Sequence, residues 1–258
     1  MNTIIRIQVV SSKGTVFTRD KIQKAFEKFA YVVDNFSRFL NSSELCKLNA
    51  AAGKAFVVSK ELFDLVTKAF EVANITNGAY DPTIIDLLEA YGYDKKQDFS
   101  KLADPRLFKE ISKLAQGRPS FKEVKFDSKK LTIYLQKQQR IDLGSIGKGY
   151  AIDLAFAVLE KYDFEGFLIN AGGDVRGYGI NSGNLPWKLA LYKAQLPNQR
   201  ISAETALGTV DLLNKSICGS GGWARKVGIF HHLLNPQSGL PINEIAQCFV
   251  IADTATQA

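Results

Sequence analysis

The sequence predicts an α+β chain with a largely antiparallel sheet, and three observations carry that prediction. Apolar residues recur at helical spacing in some segments and alternate at strand spacing in others. The two kinds of segment are mixed without a regular βαβ rhythm, so a doubly wound parallel sheet is not expected. No stretch of the 258 residues reads as a linker, and residues 1–258 are expected to form a single domain.

Taken in chain order, Ile4–Val10 alternates as a strand, and Ser11-Ser12-Lys13-Gly14 forms a turn. From Thr18, a candidate N-cap, the apolar positions Ile22, Ala25, Phe26, Phe29, Val33, Phe36 and Leu40 follow helical spacing. A second amphipathic helix starts after Ser59, with Leu62, Phe63, Val66, Ala69, Phe70 and Ala73 on one face, and stops at Thr76-Asn77-Gly78. Pro105 opens a third, shorter helix that Gly117 closes. Residues 120–143 alternate around charged turns, as a hairpin ending in Arg140-Ile141-Asp142-Leu143. A glycine-rich loop follows, then a helix with Ala151, Leu154, Ala155, Val158, Leu159 and Tyr162 on one face, then a buried strand at Phe167–Asn170. Beyond it, short strands alternate with Gly/Asn/Pro turns.

Composition narrows the function classes. Hydrophobic residues at 46% and charged ones at 23% describe a foldable globular chain and exclude disorder or a collagen repeat. No apolar run approaches the roughly 18 residues of a membrane span. Two histidines exclude a multi-histidine metal site, and Cys46, Cys218 and Cys248, odd in number and without CxxC spacing, imply neither a zinc ribbon nor a disulfide framework. The net charge of +7 is spread along the chain, which fits a solvated basic surface or attraction of an anionic phosphate ligand. No clustered basic stripe marks nucleic-acid binding. As written the N-terminus carries no leader, which reads as cytoplasmic; a removed leader would put the protein in the cell envelope, and the compartment stays open.

Four segments bear chemistry. Asp142-Leu-Gly-Ser-Ile-Gly-Lys-Gly-Tyr150 runs from a strand through a glycine loop to a helix start. Close-approaching backbone amides, the helix N-terminus and the Lys148 ammonium together favour an anion there. It is not a P-loop, because Gly149 stands where Ser or Thr must follow the lysine. A tight strand-to-helix turn with an exposed lysine fits the spacing equally well. Ala171-Gly172-Gly173-Asp174 reads as a turn closed by Asp174, whose carboxylate could instead accept from a sugar or ring N–H. Asn77-Gly78-Ala79-Tyr80-Asp81-Pro82-Thr83 is a helix stop and turn, or else an aromatic wall at Tyr80 with an acceptor at Asp81. His232 is expected on a strand entering the Asn235-Pro236 turn, with His231 on the opposite face, so the two do not chelate one ion.

The order of these segments, with Ser43-Glu-Leu-Cys-Lys-Leu-Asn49 before them and His232-Leu-Leu-Asn-Pro-Gln-Ser-Gly239 after them, resembles the ApbE family of FAD:protein FMN transferases over the whole chain. Met1-Asn2-Thr3 is similar to the Met-Gly-Thr entry of that domain. The resemblance implies transfer of FMN from FAD to a Ser or Thr hydroxyl of an acceptor protein, with release of AMP. It implies FAD against Met1, Phe39 (usually Tyr in the family), Ala79, Tyr80 and Asp81, with Asp142 and Lys148 at the nucleotide and pyrophosphate. Gly172, Gly173 and Asp174 would line the same cleft, with His232 beside the reacting phosphates as the candidate base. Mg²⁺ is implied, with the Ser145 carbonyl as one ligand.

Two departures stand out. The family's Thr-Ser-Gly-Asp-Tyr-Glu-Arg is Gly219-Ser-Gly-Gly-Trp-Ala-Arg225 here, without its acidic positions. The final family motif is matched by Val250–Ala258, and the metal-binding Asp and Thr of relatives follow that point. Asp253 would need a register shift to replace them. The expectation is a truncated chain that binds FAD weakly and transfers FMN poorly. Two other outcomes go with it: a flavin-binding module without chemistry, and hydrolysis of FAD to FMN and AMP.

Overall fold

The computed structural model describes residues 3–193, 205–223, 226–228 and 230–258, and these form a mixture of helices and antiparallel sheets, as the α+β prediction requires. They divide into two compact bodies, one of Met1–Val33, Ile146–Ala224 and Ile245–Ala258, the other of Asp34–Ser145 and Arg225–Glu244.

The first body is built on a five-stranded sheet in the order β1-β5-β6-β9-β10, from β1 (Ile5–Val10), β5 (Gly166–Ala171), β6 (Asp174–Gly179), β9 (Ser216–Gly221) and β10 (Gln247–Ala252). Every pairing in it is antiparallel. The continuous apolar run of β5 has a simple cause: it is covered on both faces. Phe167 packs edge-on against Phe156 of helix α6 (Gly147–Leu159), with ring centroids 5.0 Å apart. Leu168, one residue on and so on the opposite face, joins Val175, Trp187, Leu212 and Ile217 under the hairpin of β7 (Trp187–Tyr192) and β8 (Ala206–Leu212). The buried stripe of α6 includes Ile152 and Phe156 where the periodicity suggested Leu154 and Val158, and Phe156 meets the Phe167 and Tyr178 rings of the sheet edge-on. Helix α1 (Thr15–Phe36) starts three residues before the expected cap. The Thr18 amide donates to the Gly14 carbonyl at 3.1 Å, so Thr18 lies inside the first turn. Leu40 lies beyond the helix end and is exposed.

The second body contains α2 (Glu44–Ala50), β2 (Ala55–Val57), α3 (Lys60–Ile75), α4 (Ile85–Ala90), α5 (Leu107–Gly117), β3 (Lys125–Asp127) and β4 (Thr132–Tyr134). Helix α3 matches its expected limits. Ser59 is the N-cap, its side chain accepting from the Leu62 amide, and all six expected apolar positions are buried together with Leu65. Phe126 of β3 meets Phe63 and Phe70 of α3 edge-on at 6.0 and 5.2 Å, which docks the three-stranded sheet β2-β4-β3 on that face. A separate core gathers Leu87, Leu88, Tyr91, Leu107, Ile111, Phe230 and Leu234. The expected hairpin of residues 120–143 is confined to β3 and β4. Arg140–Leu143 is not a strand, because the Asn49 side chain takes both hydrogen bonds of the Ile141 backbone that a neighbouring strand would take, at 2.8 and 2.9 Å. Helices α2 and α4 are too short for their periodicity to show in the sequence.

Candidate active site

In the first body the glycine loop delivers Lys148 onto the first turn of α6. Ile146 precedes that helix without a side-chain cap, so among the described residues no capping side chain takes up its leading amides and their partial positive charge. The Lys148 ammonium lies 2.6 Å from a carboxylate oxygen of Asp174. Asp174 sits just past the two-residue turn that joins β5 to β6, with Ala171 directly opposite it. Gly172 and Gly173 take φ of 66° and 99°, the paired positive values that such a hairpin turn demands. A side chain at Gly172 would also press its Cβ to 2.0 Å from the Thr3 hydroxyl. The other Asp174 oxygen accepts from the Gly219 amide of β9 at 3.2 Å. The turn closed by an aspartate is therefore present, and its carboxylate is held by an ammonium and an amide.

In the second body the segment after α3 is organised around Asp81, which is 5% exposed. One of its oxygens accepts from the amide and hydroxyl of Thr83 at 2.8 and 2.6 Å, and the other meets the Arg118 guanidinium at 2.5 Å. The Tyr80 hydroxyl is 2.8 Å from the Ser145 hydroxyl. Burial pushes the Tyr80 phenol up to about 12, the Ser145 bond opposes that, and the charges of Asp142 and Asp81 add to it. Asp142 pairs with Nε of Arg38 at 2.7 Å and accepts from the Gly144 amide at 2.5 Å. Its own amide donates to the Pro82 carbonyl at 2.8 Å, tying the loop to the Tyr80–Thr83 segment. Ala79, Phe39 and Ser145 are exposed, with the Arg38 guanidinium 4.1 Å from the centre of the Phe39 ring.

The structure thus brings Tyr80, Asp81, Asp142 and Ser145 together in one body and Lys148, Gly172, Gly173 and Asp174 together in the other. His232 belongs to the second body, where its ring stacks on Tyr93 at 6.4 Å and 28°. It does not lie on a strand: an antiparallel bridge between Leu234 and Pro241 and the turn between them shape this segment. His231 is buried, and its Nδ1 accepts from the Leu233 amide at 3.3 Å. Met1 lies outside the described residues.

Sequence reasoning assigned no role to Arg118, Arg38, Arg176 or Asp153. No local signal marks Arg118, which is 37 positions from its partner Asp81. Asp153 follows the glycine-loop segment in the helix that starts there, where it reads as an ordinary helix surface residue.

The described side chains do not compose a magnesium cage. Among the described residues no group of three or more His, Cys, Asp or Glu side chains surrounds a common point. The carboxylates near α6 are already matched to cations, Asp174 to Lys148 and Asp153 to Arg176, each at 2.6 Å. Asp253 is exposed and paired with Lys215.

Comparison with known proteins fits an α+β fold carrying glycine turns beside paired charges. The model of the ApbE family matches residues 1–258, and the chain belongs to that family. A crystal structure of the ApbE protein of Thermotoga maritima superposes with a TM-score of 0.84 at 29% identity, covering 99% of this chain and 80% of that one. The FAD:protein FMN transferase of Salmonella typhimurium is 26% identical, covering 100% of this chain and 73% of the relative. That of Klebsiella pneumoniae is 27% identical, covering 86% of this chain and 63% of the relative, so the chain spans less than two thirds of that protein.

Proposed function

We propose that residues 1–258 act as one flavin-transferase domain that passes FMN from FAD to a Ser or Thr hydroxyl of an acceptor protein. The observation that carries this reading is the family match over the whole chain, joined to an ammonium placed at an uncapped helix start beside a Gly-Gly turn. In the reaction the acceptor oxygen attacks the phosphorus attached to riboflavin. A new phosphoester bond forms, the pyrophosphate P–O bond breaks, and AMP leaves with the bridging oxygen. Such a displacement asks the protein mainly to position the attacking group and to neutralise charge on the phosphoryl oxygens.

Lys148 is assigned the neutralising role. Its side chain is 28% exposed, so its head group can be shared between Asp174 and an incoming diphosphate. The leading amides of α6 supply further donors on the same body, whereas the Gly172 and Gly173 amides already donate to the Ile4 carbonyl and to Oδ1 of Asn170. Ala79, Tyr80 and Phe39 are assigned to flavin contact, with Asp81 shaping their turn through Thr83 and Arg118. Asp142 is assigned to the nucleotide, and His232 to taking the hydroxyl proton, a role that histidine fills most often. The family resemblance implies Mg²⁺ with the Ser145 carbonyl as a ligand, and no step above is routed through it.

A second reading, FAD binding without chemistry, draws support from the pairing of the carboxylates near α6 with cations. One assay separates the readings. The chain is incubated with FAD and a Ser/Thr acceptor peptide, with Mg²⁺ or with EDTA, and the products are read by mass spectrometry. Peptide gaining FMN with one AMP per transfer supports the transferase. AMP and free FMN without adduct would point to hydrolysis, and intact FAD bound to protein would point to a binding module.

A further inference from the structure

The turn at Thr254–Thr256 is clamped to the helix that carries Lys148, and one carboxylate makes the clamp. Asp153, one turn beyond Gly149 on α6, accepts from the Ala255 amide at 2.9 Å, from the Thr256 amide at 2.8 Å, and from the Thr256 hydroxyl. Its Oδ1 also meets the Arg176 guanidinium at 2.6 Å, and the central carbon of that group lies 3.6 Å from the centre of the Phe156 ring. Four donors on two oxygens fix the carboxylate from β6 and the tail together.

The tail is pressed against the first turn of α6. Ala255 is 4% exposed, and a Cβ at Gly149 would come within 2.2 Å of the Ala255 carbonyl oxygen. That oxygen accepts from the Cys218 thiol of β9 at 3.6 Å, next to the Gly219 amide that holds Asp174. Lys148 is therefore framed by two linked contacts: Asp174 at its head, and a tail backbone packed on the turn that carries it.

We infer that Asp153 is a positioning residue for flavin transfer, holding the tail turn of Thr254–Thr256 on the first turn of α6 and through it fixing Lys148. The inference rests on the transferase reading only in naming what Lys148 binds; the clamp itself stands apart from it.

The test uses the full chain with Asp153→Asn, which keeps one acceptor oxygen and removes the charge. Hydrogen exchange at the Ala255 and Thr256 amides should speed up at least tenfold. FAD affinity, read by flavin fluorescence, should weaken by about tenfold, the size of one lost charge-assisted contact. In a Lys148→Ala background the same substitution should weaken FAD binding no further, a coupling that a merely structural role would not produce. Should Asp153→Asn fail to fold, Thr256→Val removes a single donor and should move exchange and affinity the same way by less. Unchanged exchange, or effects of Asp153→Asn and Lys148→Ala on FAD affinity that simply add, would overturn the inference. If the unsubstituted chain binds no FAD, the functional reading fails while the exchange measurement still decides the clamp.

Discussion

Two acidic residues close glycine-bearing segments in this chain, Asp81 after Gly78 and Asp174 after Gly173, and each faces a cation. Their surroundings differ. The Asp81 and Arg118 side chains are 3% and 9% exposed, and Thr83 occupies the remaining oxygen. The Asp174 and Lys148 side chains are 10% and 28% exposed, and the cation is a single ammonium on a flexible stem. A sealed, multiply bonded guanidinium pair locks a turn. A half-open ammonium pair can exchange its partner for a phosphate. An aspartate that follows a glycine is thus a sealed structural lock in one body, and on the proposed reading an adaptable partner of Lys148 in the other.

Breaking the lock should have the largest effect. Asp81→Ala leaves Arg118 buried and unpaired, and is expected to cost about 3–5 kcal/mol, measured by urea unfolding. A loss below about 1 kcal/mol would put both pairs in the same class. Lys148→Ala should change stability by less than about 1 kcal/mol. It should weaken FAD binding about 10- to 100-fold, as titration by flavin fluorescence would report.

A neutral buried group extends the contrast. The Tyr91 side chain is fully buried and donates to the Gly239 carbonyl at 2.9 Å, and burial pushes its phenol up to about 12. The unfolded chain releases phenolic protons near pH 10, before the folded chain does, so the folded state binds more protons between about pH 10 and 12. Stability should therefore fall as pH rises through that window, with Tyr80 and Tyr91 both contributing. Tyr91→Phe should cost about 1 kcal/mol at neutral pH and flatten part of the alkaline decline; an unchanged slope in pH-resolved melts would contradict the assignment. The smallest effect is chemical. Burial, reinforced by the charges of Asp174 and Asp153 and opposed by Lys148, pushes the Cys218 thiol up to about 12, whereas Cys248 is exposed. Iodoacetamide at pH 8 should label Cys248 well before Cys218, and equal rates would mean that the region around Asp174 is more open than the lock-and-exchange contrast requires.

Legibility in the sequence followed the range of the forces involved. Helix α3 was readable with its cap and buried face because Ser59 and its apolar stripe act over one or a few turns. The doubly covered β5 announced itself as a continuous apolar run, and Gly172-Gly173 as a turn closed by Asp174; that the turn joins two strands with both glycines at positive φ came from the structure. Arg140–Leu143 misled because alternation cannot reveal that the Asn49 side chain replaces a partner strand. The start of α1 misled because a threonine resembles a cap wherever it falls near a helix end.

The residues alone determined the fold class, most long elements, and a family likeness carried by the order of five short motifs. Only tertiary structure decided which charges neutralise which: Arg118 with Asp81, Lys148 with Asp174, and Asp153 with Arg176 and the tail. The physical reason is that a helix or turn is stabilised by neighbours a few positions away, whereas a carboxylate takes whichever donor the folded chain brings within about 3 Å, and for Asp153 those donors come from 23 to 103 positions off.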